Sequence, residues 1–556
     1  MHGCYENLAQ GSVQYALRDL TGGAPQVIDL TSEAIQDQIL NGFLWQQLKL
    51  WVKQGLVGCA QGDDDPKNPR DFSGGFKRRK TYGLLDVQEP VPGRRFVRLK
   101  AYFPGGSWGG RWANNGPEWA EEPEIRAGLN FDPATASDTE FWVEFDDWHK
   151  YMTALYVCQL YPDSWEASRS THPEADPYIL EGIWSKERRL CGGCIKQGNA
   201  TWWANPQFRM RLTARTQVFI TLTQEDRRYK AKPDTPNGKS PFQKRMGDVS
   251  QYPVAIGLVV VRQRVLEATR SGGQLHRNDI ELLSRPFKKS RDVSISQPKT
   301  LDPKGDDFII IPMVYDPAAV LEDLRFVLTV ASSRPVKVDP IPEHSLVEPR
   351  GVGGADEDED DDFIDFKEED LMELTFGEHT VGGAVQRRGE YVQPKDTRNC
   401  KQIVAACAKL RQKFEDESFP CNAKMLFRDP KSTNHIINMD DVTFLRPCWQ
   451  GQPNAREHLQ AGTPPHEPPI LFRPGGWAGD VKQGEIGDCW LLGAAAVVAS
   501  KPELLSHLFV GWDTDQGVFS IRVFKEGKWR IVTIDDRLPA RRTTRTLLYG
   551  VGIDPA

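Results

Sequence analysis

The sequence predicts an α+β multidomain protein, and three observations carry that reading. The chain has 556 residues, more than a single hydrophobic core supports. Its middle third is a succession of short strand-like runs parted by polar, Pro- or Gly-containing turns, while both flanks mix helical and strand periodicities. Apolar residues make up 39% of the chain, with 16 Trp, so most of it carries enough apolar surface to fold.

Composition narrows the function classes. A formal net charge of −7 argues against nucleic acid as the main partner. The longest apolar runs, such as 254–261 and 491–499, are far too short to span a bilayer. The opening MHGCYENLAQ has no basic region followed by an apolar one, so no signal peptide is expected. Ten cysteines at irregular spacing fit no disulfide framework and suit a reduced, intracellular, cytoplasmic chain. Cys191-Gly-Gly-Cys194 lacks a second pair or a nearby His and reads as a tight glycine turn rather than a zinc site.

Along the chain, Ile35–Gln54 places apolar residues at helical spacing, and RRFVRLKAYFPGGSWGGRW reads as a strand running into a Gly- and Trp-rich loop. Residues 143–337 hold the runs FRMRLT, QVFITLT, PVAIGLVVVRQ, DDFIIIPMVY and RFVLTVA, which suggest an antiparallel β-sandwich. Residues 338–397 read as a linker: Asp356–Asp362 is an unbroken acidic run that repels itself, with a cation-responsive latch as its functional alternative. From 398 onward come an amphipathic helix (NCKQIVAACAKLRQKFEDE), the apolar segment QGEIGDCWLLGAAAVVAS, and a hairpin-like pair, GVFSIRVF and KWRIVTIDD.

Cys489 sits at the mouth of that apolar segment. A thiolate is the nucleophilic form, and a helix N-terminus favours it because the unpaired N–H groups carry partial positive charge. The spacing lets Gln483 fold back, so that its amide joins the Cys489 backbone N–H as an oxyanion hole. Small residues at 493–496 allow close packing beneath the site.

QGEIGDCWLLGAA resembles the nucleophile segment of calpain-type cysteine proteases. LFRDP (426–430), Phe444–Pro447 and KWRIVTIDDRLPA (528–540) are similar to the first half of a calpain core. GCYENL, LTGGAP, LVGCA, FVRLKAYFPGGSWGGRWANN and DTEFWVEFDDW are similar to its second half. LYVCQLYPDSW, ILEGIWS and WWANPQFRMRL look like the C2-like sandwich domain of that family.

The resemblance implies papain-like core halves flanking an antiparallel sandwich: a degenerate second half over 1–142, the sandwich over 143–337, the linker over 338–397, and the truncated first half of a second core over 398–556. That order suggests a piece of a longer multi-unit protein. It also implies a base and an orienting Asn for Cys489 beyond residue 556. In the family the base is a His; alignment on Tyr82 puts Lys80 there, and alignment on Trp108 puts Ala101 at the Asn. The first unit therefore reads as a pseudoprotease. Ca²⁺ is implied at Gly475 and Asp480 in one half and at Asp138 and Glu140 in the other. Protein substrates or binding partners, with membrane-surface or cytoskeletal contact, complete the expectation.

Overall fold

The computed structural model describes residues 4–8, 11–60, 76–77, 80–101, 106–136, 139–161, 166–167, 180–195, 199, 201–226, 252, 254–284, 287–295, 298–343, 400–427, 437–446, 480–482, 484, 488–501, 504–505, 508–549 and 551–553. They fall into two compact units. Met1–Leu160, Tyr391–Phe524 and Trp529–Ala556 form one; Tyr161–Glu390 and Lys525–Lys528 form the other. Contacts thus draw the boundary at Leu160 rather than at 142, and they gather the two flanks, which sequence alone assigned to separate cores, into one body.

The first flank opens with α1 (Val13–Thr21), which ends where Gly22 takes the left-handed φ of 65° and its N–H reaches the Arg18 carbonyl at 2.6 Å. It continues through β1 (Ala24–Asp29), α2 (Glu33–Leu40), α3 (Phe43–Gln54), β2 (Gly55–Ala60), β3 (Thr81–Val91), β4 (Arg94–Lys100), α4 (Glu118–Glu121), α5 (Pro123–Gly128), β5 (Glu140–Glu144), α6 (Phe145–Tyr151) and β6 (Ala154–Gln159). The helical periodicity over Ile35–Gln54 is two helices, not one. Asn41 caps the second by accepting from the Phe43 N–H at 2.9 Å, and Gly42 supplies a φ of 78° that ends the first. The six strands form one antiparallel sheet in the order β1-β6-β2-β3-β4-β5. Leu44 and Leu48 of α3 cover it, against Val57, Leu84, Leu99 and Leu155.

The second unit is built from β7 (Glu166–Ala167), β8 (Leu180–Trp184), β9 (Phe208–Arg211), β10 (Thr216–Gln224), β11 (Ile256–Arg262), α7 (Gln263–Arg270), β12 (Ile280–Leu283), β13 (Asp292–Ser294), β14 (Lys299–Leu301), β15 (Phe308–Val314), β16 (Leu324–Ser332) and β17 (Lys337–Pro340). Two antiparallel sheets result. One runs β13-β10-β16-β7, with β14 also on β10 and β8 on β16; the other runs β12-β11-β15-β9-β17. β11 and β15 are buried at every position, as continuous apolar runs require. The Trp184 Nε1–H donates to the Pro312 carbonyl at 3.1 Å, and the rings of Phe208 and Phe326 meet edge-on, so side chains of the two sheets touch. Neither Cys191 nor Cys194 is in a disulfide among the described residues, and Gly193 between them has a φ of 84°.

The last flank returns to the first unit with α8 (Cys400–Leu410), α9 (Ala423–Leu426), β18 (Val442–Leu445), β19 (Asp480–Lys482), α10 (Cys489–Ala499), β20 (Phe509–Asp513), β21 (Val518–Lys525), β22 (Lys528–Asp535), β23 (Leu538–Arg541) and β24 (Val551–Ile553). β20, β21 and β22 form a three-stranded sheet, and β18–β23 and β19–β24 are antiparallel pairs. Arg446 ties this flank together, pairing with Asp536 and donating to the Phe414 carbonyl at 2.7 Å. Tyr5 stacks on Tyr549 with centroids 4.4 Å apart and joins a cluster of Leu426, Phe427, Val442 and Leu548. The start of the chain is therefore seated in the core of its last segment.

Among the described residues no helix is long and apolar enough to cross a membrane. The acidic run 356–362 lies outside them.

Candidate active site around Cys489

α10 reads CWLLGAAAVVA, apolar on all sides, and a helix of that kind forms only where it is covered all round. Trp490, Gly493, Ala494, Ala496, Val497 and Val498 are buried; the absence of larger side chains at 493–496 lets the helix approach α1, β2 and β3 closely. Trp490 is the main anchor. Its Nε1–H donates to the Leu8 carbonyl at 2.7 Å, and its ring fills the space over Gly11, where any Cβ would strike it.

Cys489 heads the helix half-buried. The sequence argument from the helix terminus expects a depressed thiol pKa; the structure gives the opposite. Burial pushes the thiol above its ordinary value of 9.0, the Lys80 ammonium pulls it back, and the neighbouring Asp488 carboxylate pushes it up again. Desolvation outweighs the field of the helix end.

Lys80 stands directly before β3, and Ala101 directly after β4. The pairing of Gly83 with Lys100 sets both beyond the same end of that ladder, and Lys80 lies within electrostatic reach of Cys489. Ala101 is 1% exposed, its N–H bonded to the Thr139 carbonyl at 2.8 Å; a methyl group orients nothing. Beneath them Phe76, Tyr82, Trp108 and Phe141 form an aromatic floor. The Tyr82 hydroxyl accepts from the Lys77 N–H at 2.8 Å.

Asp488 is the residue that sequence reasoning passed over. It is 4% exposed, its side chain makes no capping bond to α10, and its Oδ1 meets no donor among the described residues. Burial raises its carboxyl from 3.8 to about 6, against the pull of Lys80. The signal was present in the sequence only as adjacency to the nucleophile.

Gln483, Gly475 and Asp138 lie outside the described residues. Gly484, next to Gln483, packs on the backbone of Leu548 and Tyr549 where a side chain would not fit. Asp480 pairs with Ile553 through the β19–β24 ladder. Glu140 does not suit a Ca²⁺ shell. Its Oε1 accepts from the buried Lys100 Nζ at 2.8 Å and its Oε2 lies 3.3 Å from Arg98 Nη2, so two protein cations already neutralise the charge a metal would need. Among the described residues no cluster of three or more His, Cys, Asp and Glu could hold a metal.

Comparisons with known proteins agree with this geometry. The profile of the calpain family cysteine proteases matches residues 1–159 and 414–552, the two flanks that share one unit. That of calpain large subunit domain III matches 180–330, within the two-sheet unit. The chain is 30% identical over 336 residues to the calpain-type cysteine protease DEK1 of Arabidopsis thaliana, covering 59% of this chain and 14% of that protein. It is 27% identical over 348 residues to a calpain of Schistosoma mansoni, covering 60% of this chain and 41% of the relative. Against the calpain-1 catalytic subunit of Rattus norvegicus the identity is 31% over 221 residues, 38% of this chain and 29% of that one. The chain thus spans less than half the length of these relatives. A half-buried thiol at the head of an apolar helix, the two flanks assembled around it and the profiles that match those same flanks lead to one assignment: the chain belongs to the calpain family of cysteine proteases.

Proposed function

We propose that the first unit is a calpain-like cysteine endopeptidase core in which the flanks 1–160 and 398–553 act as complementary halves, and that the chain as it stands does not hydrolyse peptides. The reaction class is limited endoproteolysis of proteins. The Cys489 sulfur attacks the scissile carbonyl, Gln483 and the Cys489 N–H receive the oxyanion, and a thioester forms as the amine departs. That sequence needs a group that removes the thiol proton and returns it to the leaving nitrogen. A Lys ammonium at neutral pH has no lone pair to offer. What supports the reading is the Lys80 charge that acts on the Cys489 thiol, from the position that the family resemblance gives to the base.

Installing both missing groups tests it. Lys80→His with Ala101→Asn should gain peptide hydrolysis of at least about a hundredfold over the native chain, the scale of general-base catalysis, and Cys489→Ala should abolish the gain. A folded double variant that stays silent would show that positions 80 and 101 do not serve Cys489.

A second reading is a non-catalytic scaffold that binds protein or lipid at membrane or cytoskeletal surfaces inside the cell. It is favoured by the same two degenerate positions and by Glu140, whose charge is spent on Lys100 and Arg98. In either reading the two-sheet unit serves as the C2-like sandwich, and Ca²⁺ regulation rests on the Gly475 and Asp480 loop.

A further inference from the structure

We propose that Thr544 is a phosphorylation site for an arginine-directed Ser/Thr kinase, and that its phosphate draws the Arg542 side chain off the carbonyls that anchor β23. The inference stands whether or not Cys489 is catalytic.

The sequence holds two Arg-Arg-x-Thr stretches, at 78–81 and 541–544, in which paired guanidiniums precede a hydroxyl. Such a pair is the charge pattern that an acidic substrate cleft on a kinase reads. The structure separates the two. Thr81 is 7% exposed and pairs with Ala60 inside the six-stranded sheet, so its hydroxyl is out of reach unless β2 and β3 part. Thr544 is exposed, in a turn closed by the Arg545 N–H on the Arg541 carbonyl at 2.7 Å and the Arg541 N–H on the Thr546 carbonyl at 2.8 Å. Its Oγ1 shares a hydrogen bond of 2.7 Å with the Thr546 hydroxyl, a neutral contact within the turn itself.

The charge around Thr544 is one-sided. Arg541, Arg542 and Arg545 lie within three positions of it, and no Asp or Glu occurs from 538 to 553. Arg542 instead spends its side chain on neutral acceptors. Its Nε donates to the Asp440 carbonyl at 2.8 Å and its Nη2 to the Val442 carbonyl at 2.8 Å. Its backbone N–H adds a bond to the Asp441 carbonyl at 2.6 Å. These contacts pin β23 to the turn that opens β18, beside the four-residue ladder the two strands share.

In the transfer, the Thr544 Oγ1 attacks the γ-phosphorus of ATP, the bond to ADP breaks and the hydroxyl proton passes to the kinase's base. The product is a near-dianion two positions from Arg542. A charged, bidentate acceptor binds a guanidinium roughly twice as strongly as a neutral carbonyl does. The Arg542 side chain therefore leaves 440 and 442, and only its backbone bond still holds the hairpin. The chain runs on from that turn to Leu548 and Tyr549, on whose backbone Gly484 packs.

The test treats the full chain with the catalytic subunit of cyclic-AMP-dependent protein kinase and Mg²⁺–ATP, and maps the product by peptide mass spectrometry. One phosphoryl group on Thr544, absent from Thr544→Val, is the expected result. No label on the folded chain, or a label that survives Thr544→Val, would overturn the site. Amide hydrogen exchange over 438–445 then reads the consequence, and the phosphorylated chain should exchange several-fold faster than the unmodified one. Equal exchange would overturn the role given to Arg542. Arg542→Lys keeps the charge that the kinase reads but not the paired donors. It should exchange fast before labelling and no faster after it; a further rise on phosphorylation would place the effect elsewhere and overturn that role as well.

Discussion

The indole Nε1–H of Trp490 donates to the backbone carbonyl of Leu8 at 2.7 Å, across 482 positions of sequence. The residue beside the nucleophile is thus held by the first segment of the chain, and α10 depends for its cover on a helix built from residues 13–21.

That dependence predicts a large effect at a small residue. Gly11→Ala forces a methyl group against the Trp490 ring and should destabilise the first unit by about 1–3 kcal/mol, the usual scale of overpacking. Trp490→Ala removes the ring itself and should cost about 3–5 kcal/mol. Urea unfolding monitored by circular dichroism reads both. An unchanged midpoint in Gly11→Ala would mean that the two flanks do not share a core in solution.

The thiol predicts a pH profile. Because burial raises its pKa, Cys489 is mostly protonated at pH 7, and its alkylation rate should still be climbing at pH 9 instead of levelling near neutrality. Cys59, fully buried and pushed up to about 12, should react more slowly still. A plateau for Cys489 below pH 7 would restore the depressed pKa that the helix terminus suggests.

Asp488 predicts a pH dependence of stability. Its folded carboxyl is raised above the ordinary 3.8, so the folded state holds the proton more tightly than the unfolded one. Below about pH 4 both states are protonated and the residue is neutral to stability; as pH rises from 4 through 6, ionising the buried group destabilises the fold, by ~3 kcal/mol at full extent. Asp488→Asn should therefore be more stable than the native chain at pH 7.5 and equal to it at pH 3.5. Unfolding midpoints across that range decide it, and a variant less stable at pH 7.5 would contradict the sign.

Glu140 predicts indifference to calcium. Glu140→Gln removes the negative charge facing the buried Lys100 and should lower stability by about 1.5–3 kcal/mol, as loss of a charged hydrogen bond does. Any shift of melting temperature on adding Ca²⁺ or EDTA should be the same in the variant as in the native chain. A calcium response that vanishes with Glu140→Gln would make that carboxylate a metal ligand after all.

Much of this was legible in the sequence because it is local. The runs QVFITLT, DDFIIIPMVY and RFVLTVA fall on β10, β15 and β16, and the apolar segment after Cys489 is α10. Lys80 and Ala101 drew attention only through resemblance to a motif. What escaped was non-local. Periodicity at 13–21 and at 489–499 says that each helix needs cover, and nothing in either says that each covers the other. The break at Asn41–Gly42 escaped because apolar spacing continues across it while the backbone does not. The thiol was misjudged since a helix terminus is visible in sequence and the depth of burial around it is not.

The stack of Tyr5 on Tyr549 bears on how the protein is made. Tyr5 waits for a partner that lies 544 positions further along the chain; at rates of 5–20 residues per second the 1–160 flank spends roughly 20–80 s without it. During that interval the surface of α1 and the sheet that later receives α10 stays open to other chains. A nascent flank of this kind is a natural client for chaperones, and crowded translation is where misassembly between copies would begin.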